Sequence, residues 1–269
     1  MFDAAQLAAL VGAFPNEPVY LRHELEGHPL FARARMTLLA GSTPKDEVIC
    51  RPAQLPLGAL PFFEPDPRPP ALVAQTLETS DAWLKLGSID HDPEYKTLVD
   101  DSLRPLKPIV KMDAGGLRAP AASLVMAAPY AVTPLHLEPN YLLIAQIRGR
   151  QRVTLFTEET YSPSVEQLET LHTVGTAQLS YETGMEDKGQ PYDLAEGDAL
   201  FIPVTTPYLI QHGEDITMSL SITWSSPELD QEADAYRLNA WLRGKGWPQK
   251  RISNKQIRLL KAKAYKIFG

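Results

Sequence analysis

The stretch from residue 133 to 156, TPLHLEPNYLLIAQIRGRQRVTLF, constrains this chain more than any other. It opens with a histidine and a carboxylate two positions apart, His136 and Glu138. On an extended strand, residues i and i+2 project from one face about 7 Å apart, so both side chains can lean toward one ion. An apolar run follows from Tyr141 to Ile147, then a turn residue at Gly149, then a second β-prone run from Val153 to Phe156. The pattern predicts a strand, a turn and a strand, with half a metal site at the mouth.

The motif Thr133-Pro-x-His-x-Glu-Pro, followed by Gln146-Ile-Arg-Gly-x-x-Arg, resembles the JmjC and cupin-like branch of the Fe(II)/2-oxoglutarate-dependent oxygenases. Two later blocks agree with it, LAEGDALFIP at 194–203 and DITMSLSITW at 215–224. The resemblance covers roughly residues 120 to 225. It implies a mainly β fold with flanking helices, built on a double-stranded β-helix of the cupin or jelly-roll type. Three segments are expected within one continuous unit. Residues 1–119 wrap the barrel, 120–226 form it, and 227–269 supply C-terminal helices.

A site follows from the same resemblance. His136 and Glu138 match the first two metal ligands, with glutamate where aspartate is commoner. The third ligand of the family lies five residues after the proline of an Ile-Pro pair, which here is Tyr208 instead of a histidine. Thr133 matches a threonine that holds the 2-oxoglutarate carboxylate. Gln151 stands where a lysine often supplies the cation, and an amide offers hydrogen bonds without charge. Leu142 replaces a frequent asparagine, and Ser221 is expected inward on the last barrel strand.

His212 is the alternative third ligand. It shares a strand face with Tyr208 but lies about 13 Å further along at ~3.3 Å per residue, so only a bulge or register shift brings it to the site. The implied cofactors are Fe(II) and 2-oxoglutarate, with weak or absent binding expected from Tyr208 and Gln151. Two functions follow. One is a hydroxylase using His136, Glu138 and Tyr208 as ligands, with Thr133, Gln151 and Ser221 around the cosubstrate. The other is a catalytically inactive JmjC-like protein that binds through its barrel pocket or a dimer surface. The substrate, small molecule or peptide, is not readable.

Composition narrows the class. The formal net charge of −7 over 269 residues argues against nucleic acid as a partner of the body. Cys50 is the only cysteine, which rules out an internal disulfide or a thiolate cluster. The N-terminus shows no signal-peptide pattern, and no run approaches the ~18 apolar residues of a membrane span. A soluble cytoplasmic chain is expected.

Other stretches are explained by packing. Asp3 is expected to cap a helix over 3–13, and Asp92-Pro93-Glu94 reads as a second helix start instead of a metal motif. His23 and His28 are assigned to a polar loop. Prolines crowd the segment from Pro52 to Pro70, which reads as an irregular wrapping loop, with Phe62 and Phe63 packing it down. Helices are expected over 164–172, 228–243 and 253–266, the last two with apolar faces that include Leu229, Tyr236, Leu259, Leu260 and Tyr265. From Gln231 to Gly269 there are ten Lys or Arg against two acids, a balance of +8. Such a basic, amphipathic tail is expected to pack on the acidic body or to join two subunits as a homodimer.

Overall fold

The computed structural model describes residues 1–59 and 66–268. Phe62 and Phe63 lie outside the described residues. Ahead of the motif region the chain forms α1 (Ala4–Ala13), β1 (Val19–Arg22), α2 (Arg33–Ser42), β2 (Val48–Pro52), α3 (Pro70–Gln75), α4 (Leu77–Ser80), β3 (Ala82–Leu86), α5 (Pro93–Leu103) and α6 (Lys107–Ala114). The motif region then supplies β4 (Arg118–Ala127), β5 (Val132–His136), β6 (Tyr141–Arg148), β7 (Gln151–Leu155), α7 (Val165–Val174), β8 (Gln190–Leu194), β9 (Asp198–Ile202), β10 (Tyr208–His212) and β11 (Thr217–Ser225). Two helices close the chain, α8 (Pro227–Gly244) and α9 (Lys255–Phe268).

Local chemistry sets the helix starts. The Asp3 carboxylate accepts the Gln6 N–H at 2.9 Å, and Asp92 accepts the Glu94 N–H at 2.9 Å with Pro93 as the first helical residue. At α7, Ser164 and Gln167 satisfy each other's backbone N–H groups in a reciprocal capping box. Gly149 turns β6 into β7 at φ +73°, in the left-handed region that glycine enters without strain.

The strands form two antiparallel sheets, one in the order β1-β9-β6-β11-β4-β3-β2 and one in the order β5-β10-β7-β8. β6 shows why the apolar run in the motif is continuous. Leu142 and Ile144 pack into the core between the sheets, while Leu143, Ala145 and Ile147 pack into the outer core beneath the N-terminal helices. A strand covered on both faces reads as an unbroken apolar run. Each fully buried Leu or Ile contributes roughly 1.5–3 kcal/mol relative to exposure.

Position 119 is no break in the architecture. β1 pairs with β9 and β3 pairs with β4, so the N-terminal segment extends the larger barrel sheet. Two readings need correction. His23 lies not in a polar loop but buried at 4 % exposure, with Nε2 3.0 Å from the Gln146 carbonyl and Nδ1 accepting the Leu25 N–H. Leu260 lies on the outer face of α9 at 70 % exposure, while Ala262 is the buried residue of that helix. Polar ties also hold α9, among them Lys261 Nζ donating to Gln249 Oε1 at 2.8 Å.

Candidate ligand site

The site is assembled by β10, which lies between β5 and β7 in the smaller sheet. Its pairing sets Tyr208 opposite His136 on β5, and His212 opposite Gln151 on β7. Between the two sheets is a cavity of about 90 Å³. All six residues expected at the site, Thr133, His136, Glu138, Gln151, Tyr208 and Ser221, line it. His212 lines it too, at the end opposite His136 along β10.

A second cavity of about 190 Å³ opens at the mouth, where His136 and Glu138 meet Arg51, Trp83 and Lys85. Sequence reasoning missed these three. They arrive on β2 and β3, and only non-local strand pairing brings them near the motif. Arg51 lies over the Trp83 ring, 4.0 Å from its centroid, and donates to the Val132 carbonyl at 2.9 Å and the Pro52 carbonyl at 3.0 Å. Burial lowers its pKa to about 10. Lys85 projects as a partly buried cation beside His136.

His136 Nδ1 lies 2.8 Å from the Pro134 carbonyl, which can only accept. Nδ1 therefore carries the proton, leaving Nε2 with a free lone pair. Burial lowers the His136 pKa, against the opposing pull of Glu138. Tyr208 is 4 % exposed, and its ring centroid is 4.1 Å from that of His136 at a 53° tilt. Burial first, then the Glu138 charge, raise the phenol pKa well above its usual 10. Tyr208 is thus a neutral phenol, not a phenolate.

The far end holds two buried neutral side chains. His212 is 6 % exposed, with Nδ1 2.6 Å from Thr217 Oγ1. Burial, helped by Arg51, lowers its pKa to about 3, so the ring is neutral. Gln151 is 3 % exposed. Neither of its amide atoms, nor Nε2 of His212, has a hydrogen-bond partner among the described residues. Arg152, next in sequence to Gln151, turns outward and pairs with Asp193 at 2.7 Å.

A ferrous site of this kind needs two imidazoles and a carboxylate converging on one ion. His136 and Glu138 line one cavity, with the neutral phenol of Tyr208 against the His136 ring. Among the described residues no group of three His, Cys, Asp or Glu side chains could hold a metal. The pairing does shift register between Tyr208 and Ile210, but the extra residue belongs to β5, since Tyr208 faces His136 and Ile210 faces Thr133. His212 stays at the far end. The residues present do not make the three-donor set.

No family model matches the sequence, and no curated protein matches it. Solved structures do. An X-ray structure of Escherichia coli YcfD shares 16 % identity at a TM-score of 0.51 over 94 % of this chain. A structure titled YcfD, a ribosomal oxygenase from Escherichia coli in complex with cobalt and 2-oxoglutarate, shares 14 % identity at a TM-score of 0.52 over 96 %. The chain spans 64 % of the length of either. Identity this low speaks for architecture alone. In fold, the chain is a mainly β, double-stranded β-helix of the cupin or jelly-roll type with flanking helices, the architecture it shares with these structures.

Proposed function

We propose that this protein is a JmjC-like binding protein, which takes a small molecule into its barrel and has lost ferrous turnover. One observation carries the reading: the neutral phenol of Tyr208, at the position expected of a third donor, is packed against His136. A phenol becomes a strong iron ligand only as its anion, and burial beside Glu138 opposes that ionisation. Gln151 weakens the case for a dicarboxylate cosubstrate further, because a charge-assisted bond is roughly twice as strong as a neutral one.

A second reading has its own support. His136 and Glu138 share one cavity with Thr133, Gln151 and Ser221, on a fold shared with an oxygenase that has been crystallised with cobalt and 2-oxoglutarate. Under it the chain is an Fe(II)/2-oxoglutarate hydroxylase, with Tyr208 as third ligand. Incubation with Fe(II), ascorbate and 2-oxoglutarate, with succinate measured by mass spectrometry, separates the two. The binding reading expects succinate at the level of the protein-free control. Multiple-turnover succinate, abolished in His136→Ala, would overturn it.

A further inference from the structure

The end of the barrel away from His136 carries an unusual set of unmet hydrogen bonds. Gln151 and His212 face each other across the β7–β10 ladder, and both line the barrel cavity. They are 3 % and 6 % exposed. The amide Nε2 and Oε1 of Gln151 and the Nε2 of His212 all lack a partner among the described residues. Folded proteins keep few such buried groups, because each forfeits its hydration without replacement. Three on two facing residues that line one cavity point to a ligand that satisfies them.

The chemistry of the set selects the ligand. A glutamine amide offers two N–H donors and one carbonyl acceptor side by side. Its best complement is another amide, which pairs donor to acceptor in both directions. The Ser219 and Ser221 hydroxyls line the same cavity, within walls that include Leu142, Ile144 and Ile210. Lys85 and Glu138 border the same cavity and also line the opening beside His136. Arg51 donates to the Val132 and Pro52 carbonyls beneath the Trp83 ring, and Val132 pairs with Gln211, the neighbour of His212.

We propose that the far end of the barrel is a recognition site for an uncharged carboxamide, held by Gln151 and His212. His212 acts there as a neutral ring whose orientation Thr217 sets. The cavity of about 90 Å³ accommodates such a group with a short apolar stem. The same two residues also line an external groove of about 440 Å³ with Arg150, Arg152 and Asp193. The proposal rests on the reading of the barrel as a binding pocket and names what its deep end accepts.

The test uses glutaramate and glutarate, which match in length and carboxylate and differ only in one terminal amide. Each is titrated into the full chain with EDTA present, followed by calorimetry and by NMR of the glutamine side-chain NH₂ groups. Glutaramate should bind at least about tenfold more tightly than glutarate and shift one glutamine NH₂ pair, assigned to Gln151 through its loss in Gln151→Met. Gln151→Met should lose the preference, and Gln151→Lys should reverse it toward glutarate, with dispersed spectra showing that both fold. Equal or tighter binding of glutarate by the unmodified protein would overturn the proposal, as would undetectable binding of glutaramate at millimolar concentration. A preference unchanged in Gln151→Met would do the same. Because the titration is metal-free, its outcome is independent of succinate formation, so the two readings fail separately.

Discussion

His136 and Tyr208 face each other across the β5–β10 ladder, with ring centroids 4.1 Å apart and planes tilted by 53°. Under the proposed function, this contact fills the place where a metal site would take its third donor. It also explains how a barrel tolerates a polar histidine at its mouth. The imidazole is neutral, tied through Nδ1 to the Pro134 carbonyl, and packed against an uncharged ring. An aromatic pair of this kind contributes roughly 0.5–1.5 kcal/mol beyond its buried area, without any ion.

Acid should destabilise the protein before most carboxylates titrate. His212 and His172 have folded pKa values lowered to about 3 and about 4, both mainly by burial. The unfolded chain takes up these protons near pH 6.5, while the folded one does not. Their contribution is therefore fully present above about pH 6.5 and is lost progressively as pH falls, to about 4 for His172 and about 3 for His212. Each histidine adds up to about 1.4 kcal/mol per pH unit to the slope of stability within that window. Urea denaturation at pH 7 and pH 5 reads the slope, and His172→Gln should flatten it. Equal slopes in variant and parent would count against the buried, neutral assignment.

Thr217 should matter for the far end of the barrel. Its hydroxyl lies 2.6 Å from His212 Nδ1 in a buried setting. Thr217→Val keeps the shape but leaves a buried ring nitrogen without its partner, at a cost of about 1–3 kcal/mol. Thr217→Ser should cost less than half as much. Chemical denaturation distinguishes them, and a valine variant as stable as the parent would contradict the contact.

Gly149 should resist substitution. It sits at φ +73°, and an added Cβ would lie 2.4 Å from the Ile216 carbonyl oxygen, a backbone atom that cannot swing away. Left-handed strain and the clash together predict a loss of at least about 1–3 kcal/mol for Gly149→Ala. Thermal unfolding measures it, and an unchanged Tm would show that the β6–β7 turn adapts.

The C-terminal helices should be integral to the fold. α8 stacks Tyr236 on His172 of α7, ring centroids 5.3 Å apart, and Arg243 grips the buried Glu169 at 2.6 Å and 3.1 Å. Removing residues 227–269 uncovers these partners and the apolar surface beneath Leu229. The truncated chain should aggregate, melt lower, or lose a dimer if α9 joins two subunits. Unchanged solution mass and melting temperature would contradict this.

Much of the barrel was readable because its cues are local. The paired motifs, the Gly149 turn and the continuous apolar run of β6 each depend on neighbours in the chain. The Ile202-Pro203 pair likewise placed Tyr208 opposite His136. The mouth was not readable in this way. Arg51, Trp83 and Lys85 reach it through the β2–β3–β4 pairing, and nothing in the short strand AWLKL announces that partner. His23 was misread because its polar neighbours mask a buried ring bonded to a carbonyl far along the chain. Leu260 was misread because helical spacing shows a face without showing which side the body covers. The unmet hydrogen bonds of Gln151 and His212 became visible only once register set the two residues opposite each other.

The central claim, that Tyr208 has removed the third metal donor, is tested most directly by anaerobic Fe(II) titration of the unmodified protein and of Tyr208→His. Iron retained after desalting is quantified in each. The unmodified protein should retain far less than one equivalent. Tyr208→His should bind at least about 10–100-fold more tightly, since even indirect changes around a metal carry that much. One equivalent of iron in the unmodified protein, lost in Tyr208→Phe, would contradict the claim and make the phenol a working ligand.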